Sequence, residues 1–86
     1  MNTATLEFPC AYPLKVMGRD NAEFRTAARA IVERHAGPVL ESGVTARASS
    51  EGNFLALTFA ITAESRAQLD ALYQELTRCP EILVAL

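Results

Sequence analysis

The sequence predicts a two-layer α+β sandwich, and three observations carry that expectation. Over residues 11–17, Tyr12, Leu14 and Val16 alternate with Pro13, Lys15 and Met17, and Leu55, Leu57, Phe59 and Ile61 alternate in the same way over 54–62. A period of two marks a strand with one covered face. The period lengthens to that of a helix over Phe24, Ala27, Ala28, Ile31 and Val32, and again over Leu69, Leu72, Tyr73 and Leu76. Eighty-six residues, half of them apolar, supply one core and one domain spanning residues 1–86.

Each element has its own start and stop signals. Residues 1–8 are polar and expected to be flexible, and the first strand follows over Ala11–Met17, closed by Gly18. Proline has no N–H, so Pro13 is expected at the very start of that strand or at a bulge, with regular pairing from Leu14. Asp20 with Glu23 three residues on forms a capping-box variant that opens the first helix. Gly37-Pro38 closes it. A weakly patterned second strand spans Val44–Ser49, and Ser50-Glu51-Gly52-Asn53 makes a hairpin turn into the third strand, Phe54–Thr62. A second helix from about Ala63 to Arg78 and a last strand over Glu81–Leu86, separated by Pro80, complete the chain.

The resulting order is β-α-β-β-α-β. Right-handed crossovers then give the ferredoxin-like arrangement: a four-stranded antiparallel sheet in the order 4-1-3-2 with both helices on one face.

Composition narrows the function. A formal charge of −2, with no two Lys or Arg adjacent, argues against electrostatic binding of nucleic acid or an anionic membrane surface. No apolar run approaches the ~20 residues that span a bilayer, and MNTATLEF has neither a basic nor an apolar leader segment, so a cytoplasmic location is expected. Cys10 and Cys79 fit a reducing compartment. In the expected fold they sit about 23 Å apart, beyond disulfide or shared-metal reach, and neither has a second ligand at CxxC or HxxxH spacing. No metal or cofactor is expected.

Three places hold residues capable of chemistry or binding. A nucleophilic Cys10 needs a base, and the sole histidine, His35, ends the first helix where an interaction with the helix dipole explains it. With no orienting acid beyond Glu33, no catalytic residue is assigned and the chain is expected not to be an enzyme. The sheet face uncovered by helices carries Lys15 and Met17 from the first strand and Phe54, Ala56 and Thr58 from the third. Such a face is expected to be more polar, so these residues form a candidate partner surface, for a protein or most simply a second copy of the chain. One ring on that face, preceded by Glu51-Gly52-Asn53, does not match the paired aromatics of RNA-recognition domains. The first βα turn, Gly18-Arg19-Asp20-Asn21, is a candidate ligand turn for a small-molecule effector. Glycine there permits close backbone approach, and the following helix offers free N–H groups.

FPCAYPLKVMG, SSEGNFLALTF and LDALYQELTRCPEILVAL together resemble the YbeD-like family of small bacterial proteins, known as a domain of unknown function. The resemblance covers nearly the whole chain. Its most specific elements are the Phe8-Pro9 lead, Lys15-Val16-Met17-Gly18, the Ser50/Gly52 turn and Leu72-Tyr73 with Leu76 before a short apolar C-terminal strand. Departures are the acidic Glu51-Gly52-Asn53 turn and an alanine-rich first helix. The resemblance implies a ferredoxin-like fold similar to ACT regulatory domains, which bind amino acids at the first βα turn, and it implies no established activity. Together these features predict a regulatory or protein-interaction module working through the open sheet face, with ACT-like metabolite sensing as the alternative.

Overall fold

The computed structural model describes residues 6–86. The chain runs β1 (Cys10–Arg19), α1 (Ala22–Ala36), β2 (Val44–Ala48), β3 (Phe54–Ala63), α2 (Arg66–Arg78) and β4 (Val84–Ala85), with one 3-10 turn at Glu41–Gly43 before β2. The strands form one sheet in the order β2-β3-β1-β4, every neighbour antiparallel. This is the ferredoxin-like sandwich expected from the element order. Leu14, Val16, Leu55, Leu57, Phe59 and Ile61 line the covered face of the sheet. Phe24, Ala28, Ile31 and Val32 of α1 and Leu69, Leu72 and Leu76 of α2 pack onto them in a single core. Those are the alternating and helical stripes read from the sequence.

Several boundaries differ from expectation, each for a local reason. β1 pairs with β3 without interruption from Cys10↔Ala63 to Arg19↔Phe54, so Pro13 lies inside a regular ladder opposite Ala60, at neither the start nor a bulge. In antiparallel sheets successive residues direct their N–H and C=O to opposite neighbours. The main chains of Lys15 and Met17 bond toward β4: Leu86 N donates to Lys15 O at 2.8 Å, Lys15 N to Leu86 O at 3.1 Å and Leu83 N to Met17 O at 2.8 Å. The nitrogen of Pro13 therefore also points to that side, where β4 does not reach, and no sheet hydrogen bond is lost.

α1 is capped by Asn21 rather than Asp20. The Asn21 side chain accepts from Phe24 N at 2.8 Å with an extended backbone (φ −146°, ψ 168°), while Asp20 forms an ion pair with Arg25. Gly37 ends the helix with φ 85°, the left-handed region that favours glycine. α2 starts three residues later than expected, because Ala63 is still an inward-facing, fully buried β3 residue and Ser65 supplies the cap, accepting from Gln68 N at 3.1 Å. β4 is shorter than Glu81–Leu86: Ile82 N bonds to Cys79 O at 3.1 Å in a turn that buries the Ile82 side chain, leaving Val84–Ala85 as the ladder. Of the flexibility expected for residues 1–8, residues 1–5 lie outside the described residues, and Phe8 is half-buried against the core.

Candidate interaction surface

The register of the sheet fixes what its uncovered face displays, since residues directly opposite across antiparallel strands share a face. One row across the strands is Arg47–Ala56–Met17–Val84, and the next is Thr45–Thr58–Lys15, continued by Leu86 through its backbone bonds to Lys15. Phe54 stands opposite Arg19 at one end, with the Arg19 guanidinium carbon 5.5 Å from the ring centroid, a cation–π distance. All five residues expected to form a partner surface (Lys15, Met17, Phe54, Ala56 and Thr58) therefore lie together on this face. A shallow depression of about 280 Å³ is lined by Lys15, Met17, Arg47, Phe54 and Ala56 among others. Phe54 is 38% exposed, Val84 43% and Leu86 63%, so the apolar area reaches from β3 across to β4.

Sequence reasoning missed Arg47, Val84 and Leu86 and assigned Arg19 to the turn. The signal for Arg47 was present: counting back from the Ser50–Asn53 hairpin places it opposite Ala56. Among the described residues, Lys15, Arg19 and Arg47 have no carboxylate side chain within ion-pairing distance, whereas Arg25 and Arg34 each have one and Arg29 has two. No Asp or Glu of β1, β2, β3 or β4 lies on this face, because those strands contain none.

The candidate ligand turn has a different layout from that expected. Gly18 and Arg19 belong to β1, and Gly18 is buried: a Cβ there would meet the Phe24 ring at 2.3 and 2.6 Å and the Glu81 carbonyl oxygen at 2.7 Å. Close packing of α1 and the segment before β4 requires this glycine. Asp20 is tied to Arg25 through its side chain, and its N–H donates to Asn53 O at 3.1 Å. The Asn21 side-chain oxygen is engaged as the helix cap. Beside the turn lies a cavity of about 200 Å³ lined by Arg19, Asn21, Pro80, Glu81 and Leu83.

The residues considered for chemistry stand elsewhere. Cys10 is the first residue of β1 and Cys79 caps the end of α2; both are unbonded thiols, half-buried against the core. His35 Nε2 lies 2.7 Å from Glu75 Oε1, and Arg34 bonds the same carboxylate, so the end of α1 is clamped to α2. Arg34, then His35, hydrogen-bond the Glu75 carboxylate and hold it well below the usual range, at about 2. Gln68 Nε2 adds a bond to His35 O at 3.0 Å. A second unforeseen contact joins the layers: the hydroxyls of Tyr12 and Tyr73 are 2.9 Å apart. Burial first, and the bond to Tyr12 second, push the Tyr73 phenol upward. Among the described residues no three His, Cys, Asp or Glu are grouped as a metal would need, and no helix is long and apolar enough to cross a membrane.

These features define a small α+β sandwich domain whose distinguishing surface is an uncovered, apolar and cationic sheet face. The chain belongs to the family described as "Protein of unknown function (DUF493)", whose model matches residues 3–86, in keeping with the YbeD-like resemblance of its motifs. A UPF0250 protein of Chromobacterium violaceum is 46% identical over 80 residues, covering 93% of this chain and 90% of the relative. One from Paraburkholderia phytofirmans is 40% identical over 86 residues, covering 100% and 97%. The solution structure of protein HP0495 from H. pylori superimposes with a TM-score of 0.71 over 98% of this chain and 88% of that one, at 12% identity, and shares the fold.

Proposed function

We propose that this chain is a non-enzymatic regulatory or interaction module of the cytoplasm that acts by docking a partner protein on its open sheet face. The observation that carries this function is the joining, on one face, of three cations without carboxylate partners among the described residues to an apolar strip of Met17, Phe54, Ala56, Val84 and Leu86. Monomeric surfaces seldom leave such a patch free. The same charge set favours a different protein over a second copy, since face-to-face self-association brings Lys15, Arg19 and Arg47 against their own kind. In its own cells, the full chain carrying the photo-crosslinking residue p-benzoylphenylalanine in place of Met17 is expected to form a covalent adduct with one protein, and the same residue in place of Asp70 on the outer side of α2 none. No adduct from Met17, or equal adducts from both positions, overturns the function.

The cavity beside the first βα turn supports a second function, ACT-like sensing of a small metabolite such as an amino acid. The filled space over Gly18 and the engaged Asn21 side chain weigh against it. A thermal-shift screen against amino acids tests it, because a ligand at a hundred times its dissociation constant adds about 2.7 kcal/mol of stability. A flat screen removes it.

A further inference from the structure

We propose that the occupant of the open face is an acidic amphipathic helix of the partner protein, lying along β3; this rests on the docking function above and specifies its partner. The face is shaped as a trough. Ala56, Thr58, Ala60 and Thr62 present no side chain larger than threonine along β3, while β1 contributes Pro13, Lys15 and Met17 on one side and β2 contributes Thr45 and Arg47 on the other. The flanking strands are about 10 Å apart, which matches the ~10–12 Å width of a helix with its side chains. The large ring of Phe54 closes one end.

Charge decides the chemistry of the occupant. Lys15 and Arg47 stand on opposite walls and Arg19 stands at the Phe54 end, so their Cα atoms make a triangle about 12–13 Å on a side around Met17 and Ala56. A helix with apolar residues at i, i+3, i+4 and i+7 and carboxylates on both flanks sets its apolar stripe in the trough and a carboxylate against each wall. Its backbone hydrogen bonds are complete within itself. An extended segment laid across a sheet face leaves its own N–H and C=O groups without partners. The helices of a second copy do not fit, because their apolar stripes are buried in the core and their outward residues are of mixed charge: Glu23, Arg25 and Arg34 on α1, Arg66, Asp70 and Arg78 on α2. Single-stranded RNA is disfavoured because among the described residues the face offers one ring, Phe54, where RNA-recognition sheets stack two or three bases on paired aromatics. Three cations also fall short of the clusters of 4–8 that mark anionic-lipid binding.

The test maps the protein adduct formed through p-benzoylphenylalanine at Met17, and separately at Thr45 and Ala60, by tandem mass spectrometry of the full chain. The expected attachment points fall in one partner segment, three or four residues apart, with acidic residues in clear excess over basic ones. The purified pair is then compared with the variant carrying Lys15→Glu and Arg47→Glu. That variant is expected to bind about tenfold more weakly at low salt, and wild-type binding to weaken as salt is added. Attachment to a neutral or basic segment, to a second copy of this chain, to RNA or to lipid overturns the acidic helix, as does binding indifferent to the double charge reversal. A protein adduct of the wrong chemistry at Met17 still leaves the docking function standing, whereas no adduct there removes both.

Discussion

Gly18 shows how a single hydrogen atom can be a structural requirement. Its φ is unremarkable, but a methyl group would overlap both the Phe24 ring and a backbone oxygen of Glu81. A flexible side-chain tip could swing aside; an aromatic ring in the core and a main-chain carbonyl cannot move without disturbing what they hold. Gly18→Ala is therefore expected to cost about 1–3 kcal/mol, visible in thermal denaturation as a fall of about 4–8 °C per kcal/mol. Gly43→Ala, where the nearest atoms stand 3.7 Å away or more, is the control and is expected to leave the midpoint unchanged. A midpoint unmoved by both substitutions would show that Phe24 and Glu81 yield freely. Tyr73 makes a second prediction at this scale. Burial and the Tyr12 hydroxyl favour its neutral phenol in the folded chain, above its ordinary value of 10.0. Its contribution is thus complete below pH 10 and is lost as pH rises past that value. Tyr73→Phe should flatten this alkaline loss in a pH series of denaturation midpoints, while lowering stability at neutral pH by about 0.5–1.5 kcal/mol for the missing hydrogen bond.

Caps and seams between elements are tested by pairs of substitutions. Asn21→Ala should destabilise by about 1 kcal/mol, as loss of an N-cap does, and Asp20→Ala, which removes an exposed ion pair, by less. Equal effects in urea denaturation would return the cap to Asp20, where the Asp-x-x-Glu spacing first placed it. The seam between α1 and α2 depends on pH through Glu75. Its folded pKa of about 2 lies below its ordinary 4.5, so the seam is complete above pH 4.5 and weakens as pH falls toward 2. Glu75→Gln should reduce the acid sensitivity of the denaturation midpoint, and an unchanged acid limb would show that the contact contributes nothing. Strands with one covered face were legible because alternation encodes that face directly, as in Leu55, Leu57, Phe59 and Ile61. The ends were less legible. Ala63 belongs to β3 by burial although its residue type suits a helix equally, and six residues after Pro80 are too few for periodicity to separate a turn from a strand. Pro13 misled because its compatibility depends on how far β4 extends along β1, which local sequence does not state.

For the whole molecule, a net charge of −2 conceals an uneven distribution: the acids lie off the strands, and the charged strand residues on the open face are the cations Lys15, Arg19 and Arg47. Composition averages over faces, so the net charge gave no sign of this, although alternation placed Lys15 on the face and the hairpin count places Arg47 there as well. Lys15, Met17, Phe54, Ala56 and Thr58 came from strands with strong patterns, and Arg47 from the strand with the weakest. Because Lys15 and Arg47 carry no carboxylate partner among the described residues, Lys15→Glu with Arg47→Glu is expected to leave stability within about 0.5 kcal/mol of wild type in chemical denaturation. A larger loss would mean that the face serves the fold itself. Pro13 has one further effect on the molecule as a whole. Among the described residues, the part of β1 on the N-terminal side of Lys15 is paired on one side only, and an unpaired strand edge invites the strands of other molecules to add on and grow into fibres. A proline whose nitrogen points toward that side offers no donor that such growth would use, so the residue that looked out of place in a central strand is of the kind that blunts an exposed edge.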